Sequence, residues 1–189
     1  MKKYFYIALL VMLNLFQPLA AQSIDSLKLA LKNAKHDTVR CNILNQLAET
    51  ASEEEWPGFN EQLLKLSEKN SLATNLNPKL HRFYLKMLST ALTNKSILFF
   101  QAGQTEEALK FQFSSLKISA ELADKNSLAF AYNQLGVIYD NRGEVSKGIE
   151  YFEKSLKIRE EIGDKTGMAL SLNNFGGIYE NQGDIPKAL

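Results

Sequence analysis

The side chains able to do covalent or metal chemistry are few and scattered in this chain. Two histidines, His36 and His81, are far apart and sit in no metal-ligand spacing. A zinc site needs clustered His, Cys or carboxylate ligands, so both read as structural or solvated. Cys41 has no second cysteine to pair with. Its neighbours Val39, Ile43 and Leu44 make it a small buried hydrophobe, with a reactive thiol as the alternative. The run Glu53-Glu54-Glu55 reads as a solvated helix end, with a cation site as the alternative, and Glu160-Glu161 as an exposed helical face. Acid–base work by paired carboxylates needs a pocket and opposed environments, which neither run supplies. Gly176-Gly177 lies inside a helical pattern, not after a strand, so it cradles no phosphate. These residues assign no catalytic group, no cofactor and no metal. What remains is recognition chemistry. Asn133 and Asn173 recur at a fixed offset, and an Asn side chain can both donate to and accept from a peptide backbone. The competing reading gives this pair to hydrogen bonds between repeats or to helix solvation.

The element that positions them is a 40-residue repeat. Residues 124–149 and 164–189 share Asp124/Asp164, Ala129/Ala169, Asn133/Asn173, Gly136/Gly176, Tyr139/Tyr179 and Gly143/Gly183 at that offset. One period earlier, Phe99, Gly103 and Ala108 keep the phase, and Ser115 to Ile118 match Ser155 to Ile158 without a change. A period of this size belongs to stacked supersecondary units that bury a continuous core only by stacking. Each unit reads as two helices. Leu128, Tyr132, Leu135 and Tyr139 share one face of the first, and Gly143 follows its end. Ile149, Phe152, Leu156 and Ile158 form the stripe of the second. Glycine at Gly136, Gly148 and Gly176 costs about 1 kcal/mol against alanine within a helix, so its recurrence signals close helix–helix approach. Asp184 and Pro186 suit the N-cap and first turn of a further helix.

Tyr132, Leu135-Gly136, Tyr139, Gly143, Gly148 and Phe152, then Leu172, Phe175-Gly176, Tyr179, Gly183 and Ala188, resemble the tetratricopeptide repeat. The unit of Leu92, Ser96, Phe99, Gly103 and Ala108 is degenerate, with Gln112 where the aromatic belongs. The closing Pro of the pattern is absent, Glu160 standing in its place, which fits a 40-residue variety. The resemblance implies an all-α, right-handed solenoid of antiparallel helix pairs. It also implies that the first helix of each unit lines a concave face that binds peptides or proteins. The outward positions there are Asn133, Val137, Asp140 and Asn141, then Asn173, Gly177, Glu180 and Asn181. Members that grip a terminal carboxylate use Lys or Arg where this chain has Asn133 and Val137, so that clamp is not carried over. Tyr132, Tyr139 and Tyr179 read as core.

Upstream, residues 23–34 form a short amphipathic helix with Ile24, Leu27, Leu29 and Leu31. Asp37 or Thr38 caps a second helix carrying Val39, Ile43, Leu44 and Leu47, and a third runs from about 59 to 73. Pro78 starts a long helix to about 102. Lys2 and Lys3, the apolar run 4–16 and the small residues Ala20 and Ala21 have the layout of a secretory signal peptide cut after Ala21, with an uncleaved anchor as the alternative. The expected division is therefore a signal peptide at 1–21, a short helix at 22–36, a divergent helix pair at 37–77 and repeats at 78–122, 126–162 and 166–189. The last stops in mid-unit, as in a fragment of a longer protein. The 22 Lys and Arg against 21 Asp and Glu give a net charge of +1, and loss of Lys2 and Lys3 brings it to −1. That balance argues against a nucleic-acid partner. Membrane contact is expected only through an anchor beyond Leu189 or an uncleaved signal peptide. The sequence thus points to an exported, non-catalytic module that binds a protein or peptide segment in its groove. The alternative is the periplasmic or extracytoplasmic sensory region of a membrane signalling protein, a histidine kinase or transcriptional regulator.

Overall fold

The computed structural model describes residues 23–181, without the side chain of Asn181. The expected signal peptide, Gly183, Asp184, Pro186 and Ala188 lie outside the described residues. Eight α-helices account for nearly all of the rest, and no strand occurs among the described residues. They are α1 Ile24–Asn33, α2 Asp37–Thr50, α3 Trp56–Ser71, α4 Pro78–Gln101, α5 Thr105–Glu121, α6 Lys125–Asn141, α7 Val145–Ile162 and α8 Lys165–Asn181.

Local chemistry sets the helix ends. Ser23, Asn77, Asp124 and Asp164 each accept a backbone N–H three residues on, at 3.2, 2.9, 3.2 and 2.9 Å. This satisfies donors that have no partner within the helix. Pro78 and Pro57 stand in first turns, where a missing N–H costs nothing. Because Pro57 fits there, α3 begins at Trp56, ahead of the start expected near residue 59. His36, with no side-chain bond, occupies the cap position of α2. Asp37, expected as a cap, lies in the first turn and accepts from Asn70 Nδ2 at 3.1 Å. The turn after α6 needs a left-handed residue, and Gly143 supplies φ +77° without a Cβ penalty. The turn between α5 and α6 makes the same demand of Ala123, at φ +50°. Its counterpart one period later is Gly163, at φ +70°.

Helices pack in sequence, each against the next. Beyond that, α2 touches α4, α4 touches α6 and α6 touches α8, whereas α3, α5 and α7 make no such contacts with one another. The first helices of successive pairs are therefore drawn together and the second helices spread apart. The described array curves toward α2, α4, α6 and α8, which form its inner face.

Two apolar clusters hold the array. Cys41, Leu44, Leu63, Leu64, Tyr84 and Ala91 join α2, α3 and α4. Ala108, Leu109, Leu135 and Ile138 join α5 and α6, flanked by Phe99, Tyr132, Tyr139 and Tyr151. Between the clusters runs a seam of hydroxyls. Ser89 Oγ lies 2.8 Å from Ser115 Oγ and 2.9 Å from Ser119 Oγ, and Thr93 Oγ1 lies 2.7 Å from Ser115 Oγ. All four are buried and mutually satisfied. Leu29, placed in the apolar stripe of α1 by periodicity, is 62% exposed, and Leu27 carries the packing of that helix.

The close approach that the helical glycines imply is present in the pair α6–α7. A Cβ at Gly136 would stand 2.6 Å from Phe152 Cε1. One unit earlier the two positions hold other side chains. Ser96 and Gln112 replace Gly136 and Phe152. Ser96 Oγ donates to Ala108 O at 2.8 Å, and the fully buried Gln112 donates from Nε2 to Ala131 O at 3.3 Å. Gln112 thus fills the aromatic slot as a polar tie to the next helix.

Candidate interaction groove

The inner face is built from positions that repeat every 40 residues along α4, α6 and α8. Phe130 on α6 and Leu170 on α8 occupy one such position and are 44% and 52% exposed. Thr90 precedes them on α4. Large apolar side chains held open at one phase of the repeat are not consumed by the core.

Between α4 and α6 this face sinks into two compartments. The upper has a volume of about 310 Å³ and is lined by Ser89, Thr90, Thr93, Asn94, Asn126, Ser127 and Phe130. The lower, of about 210 Å³, is lined by Ser96, Ile97, Phe100, Gln101, Gln134, Val137 and Ile138. No lining residue of either carries a charge. Asn94 is held in place from behind: its Nδ2 donates to Asn60 Oδ1 at 3.0 Å, while Asn60 Nδ2 donates to Ala91 O at 3.0 Å. That leaves the Asn94 carbonyl oxygen as an acceptor.

The residues expected on this face from sequence have different surroundings. Asn133 is only 9% exposed. Its Oδ1 accepts from Asn174 Nδ2 at 3.1 Å and from Ser171 Oγ at 3.4 Å, both on α8. Its amide therefore ties two units together, as the competing reading has it. Val137 lines the lower compartment. Asp140 is half-buried where α7 comes closest: a Cβ at Gly148 would lie 3.3 Å from its own. Asn141, Asn173 and Glu180 are exposed, Gly177 is half-buried, and the Asn181 side chain lies outside the described residues. Phe130, Thr90, Asn94, Ile97 and Gln134 were not singled out by sequence reasoning. The signal that could have found Phe130 is the pair Phe130/Leu170, two apolar residues on the polar side of a helix at the repeat offset.

Away from the groove, aromatic pairs stack at the edge of each unit. Phe99 and Phe111 lie 5.2 Å apart, and Tyr139 and Tyr151, one period later, 5.4 Å. Lys95 Nζ sits 5.2 Å from the Phe111 ring, and Lys147 and Lys154 sit 5.1 and 5.0 Å from Tyr139 and Tyr151. Tyr132 and Tyr139 are half-buried here, covered by cations as well as by neighbouring rings.

Electrostatics near the groove are structural. Burial acts to raise the pKa of Asp124, but the ammonium of Lys86 at 3.0 Å and the Ser127 N–H outweigh it and hold the carboxyl below its ordinary value. Burial, assisted by Asp37 and opposed by Arg40, pushes the Cys41 thiol up to about 11. At neutral pH it is an uncharged, inert group. Both histidines are exposed. Among the described residues no group of three or more His, Cys, Asp or Glu could hold a metal ion. No described helix is long and apolar enough to cross a membrane.

Eight helices stacked as antiparallel pairs, with an open inner face, define an all-α helical-repeat solenoid. The family model of the tetratricopeptide repeat matches residues 127–189, which shows the resemblance for the units containing Tyr132–Phe152 and Leu172–Ala188. Among solved structures, the chain is similar to the crystal structure of BtubC (BKLC) from P. vanneervenii, with a TM-score of 0.63 and 22% identity. That match covers 87% of this chain and 65% of the other. At that identity the likeness is one of fold. Comparison with curated proteins gives no match.

Proposed function

We propose that this chain is a non-catalytic interaction module that binds a peptide or protein segment along the inner face of α4, α6 and α8. The observation that carries the reading is the exposure of Phe130 and Leu170 at one phase of the repeat, with Phe130 bordering a compartment between α4 and α6. Large apolar side chains left half-open to water at a recurring position are best explained by a partner that covers them. Tetratricopeptide repeats typically act as interaction modules, which agrees. We further propose that the module works outside the cytoplasm, on the strength of the basic start and apolar run at residues 2–16. A sensory version, in which the groove is the receptor part of a membrane protein, would be favoured by an apolar stretch of about 20 residues beyond Leu189.

A photo-crosslinking residue placed at Phe130, and separately at the exposed Lys117 of α5, tests the binding face. Adducts formed in the native host from the first position and not the second are expected. Equal yields from both would sink the groove reading. N-terminal sequencing of the protein recovered from its host tests export, and a chain that starts at Met1 in the cytosol would contradict it.

A further inference from the structure

Resting on the proposed interaction function, we infer that the segment bound between α4 and α6 is an extended, uncharged peptide. It sets an aliphatic side chain into the lower compartment and a small polar residue into the upper one, four residues away. Three observations carry this. The first is charge. All fourteen lining positions are neutral, so a charged side chain or terminus buried here would lose hydration without gaining an opposite charge. The charged neighbours on α4 are already paired, Lys86 with Asp124 at 3.0 Å and Lys95 with Glu61 at 3.1 Å.

The second is the contrast between the compartments. Ile97, Phe100, Val137 and Ile138 give the lower one apolar walls, and its volume of about 210 Å³ accepts a Leu, Ile, Val or Met side chain. The upper one presents hydroxyls and amides with capacity to spare. Thr90 Oγ1 donates to Lys86 O and can still accept, and the Asn94 carbonyl oxygen is not used by its bond to Asn60. Phe130 forms its outer wall and can cover the apolar part of a small side chain.

The third is spacing. Along α4 the lower compartment starts at Ser96 and ends at Gln101, about two helical turns beyond the start and end of the upper one at Ser89 and Asn94. A rise of about 1.5 Å per residue puts their centres roughly 10 Å apart along α4 and roughly 13 Å apart along α6. An extended chain advances about 3.3 Å per residue, so four residues cover about 13 Å, and an even spacing keeps both side chains on the face turned to the groove.

The test is selection from a phage-displayed library of random heptapeptides on the immobilised full chain, followed by affinity measurements on the enriched peptides. The variants are Val137→Arg and Asn94→Lys, each checked for unchanged helical signal and unfolding midpoint. The inference expects enriched peptides without charge, with an aliphatic residue four positions from Ser, Thr or Asn. It also expects their affinity to change less than about twofold between roughly 50 and 500 mM salt, and Val137→Arg to weaken binding by about tenfold or more. Enriched peptides built on an acidic or basic anchor would overturn the inference and leave the interaction reading standing. Uncharged peptides indifferent to both variants would also overturn it, because the site would lie elsewhere. No enrichment at all would overturn the inference and the interaction reading together.

Discussion

Replacing Gly136 with alanine sets two well-defined effects against each other. Helix propensity favours the change by about 1 kcal/mol, since glycine in a helix interior carries excess conformational freedom when unfolded. Space opposes it. The new Cβ would lie 2.6, 2.7 and 2.9 Å from Cε1, Cδ1 and Cζ of Phe152. To restore an ordinary separation of 3.4 Å, the ring must retreat by about 0.8 Å. Phe152 is 1% exposed, and Phe175 lies behind it at a ring separation of 5.8 Å, so the retreat displaces packed atoms. Overpacking of this kind costs about 1–3 kcal/mol, which places the net effect at roughly 1 kcal/mol of destabilisation. The Phe152→Leu background removes Cε1 and Cζ and with them the worst of the clash. There the propensity gain should dominate, and Gly136→Ala should stabilise by a few tenths to about 1 kcal/mol. Urea unfolding followed by far-ultraviolet circular dichroism, run as a double-mutant cycle, reads the coupling directly. A stabilising Gly136→Ala in the otherwise unchanged chain, or a coupling below about 0.5 kcal/mol, would refute the claim that close approach dictates this glycine.

Three further outcomes follow from the geometry. Ala123→Gly should raise stability by up to about 1 kcal/mol in urea unfolding, because it relieves a left-handed alanine at φ +50°. A neutral or negative effect would contradict the strain argument. Asn133→Ala should cost about 1–2 kcal/mol by leaving donors of Ser171 and Asn174 unpaired, whereas Asn173→Ala at its exposed position should stay within about 0.5 kcal/mol. Equal costs would remove Asn133 from its tie between units. Asp124 has a folded pKa below its ordinary value of 3.8, so its contribution is present above that value and lost as pH falls through the lower, folded one. Thermal unfolding below about pH 4 should therefore fall less steeply with acid in Asp124→Asn than in the unchanged chain, and identical slopes would show that the Lys86 pair carries no linkage.

Much of the fold was legible residue by residue. Apolar spacing of three and four along Leu128, Tyr132, Leu135 and Tyr139 identifies a helix, because a helix is a local periodic object. Gly103 and Gly143 mark turns because a left-handed backbone is a local demand, whereas the turns at Ala123 and Gly163 were not singled out. Gln112 shows where such reading stops. In sequence it is a missing aromatic. In the fold it is a buried amide whose Nε2 donates to Ala131 O, while Ser96, at the position of Gly136, donates to Ala108 O. Each partner lies a dozen or more residues away, beyond the reach of the local pattern. The groove was harder still. Asn133 and Phe130 lie less than one turn apart on α6, and their sequence neighbourhood does not say which of them meets the next unit.

The sequence by itself determined that this chain is a stack of helix pairs with a 40-residue period, that Gly103 and Gly143 follow helix ends, and that Gly136 and Gly148 permit close contact. These depend on interactions within a few residues. The tertiary structure alone decided which polar side chains of the inner helices are spent and which remain open. Asn133 is consumed by α8, while Phe130, Asn94 and Val137 border open space. That outcome depends on the distance and rotation between successive units, which the packing of Phe152, Gln112 and the buried hydroxyl seam sets across tens of residues.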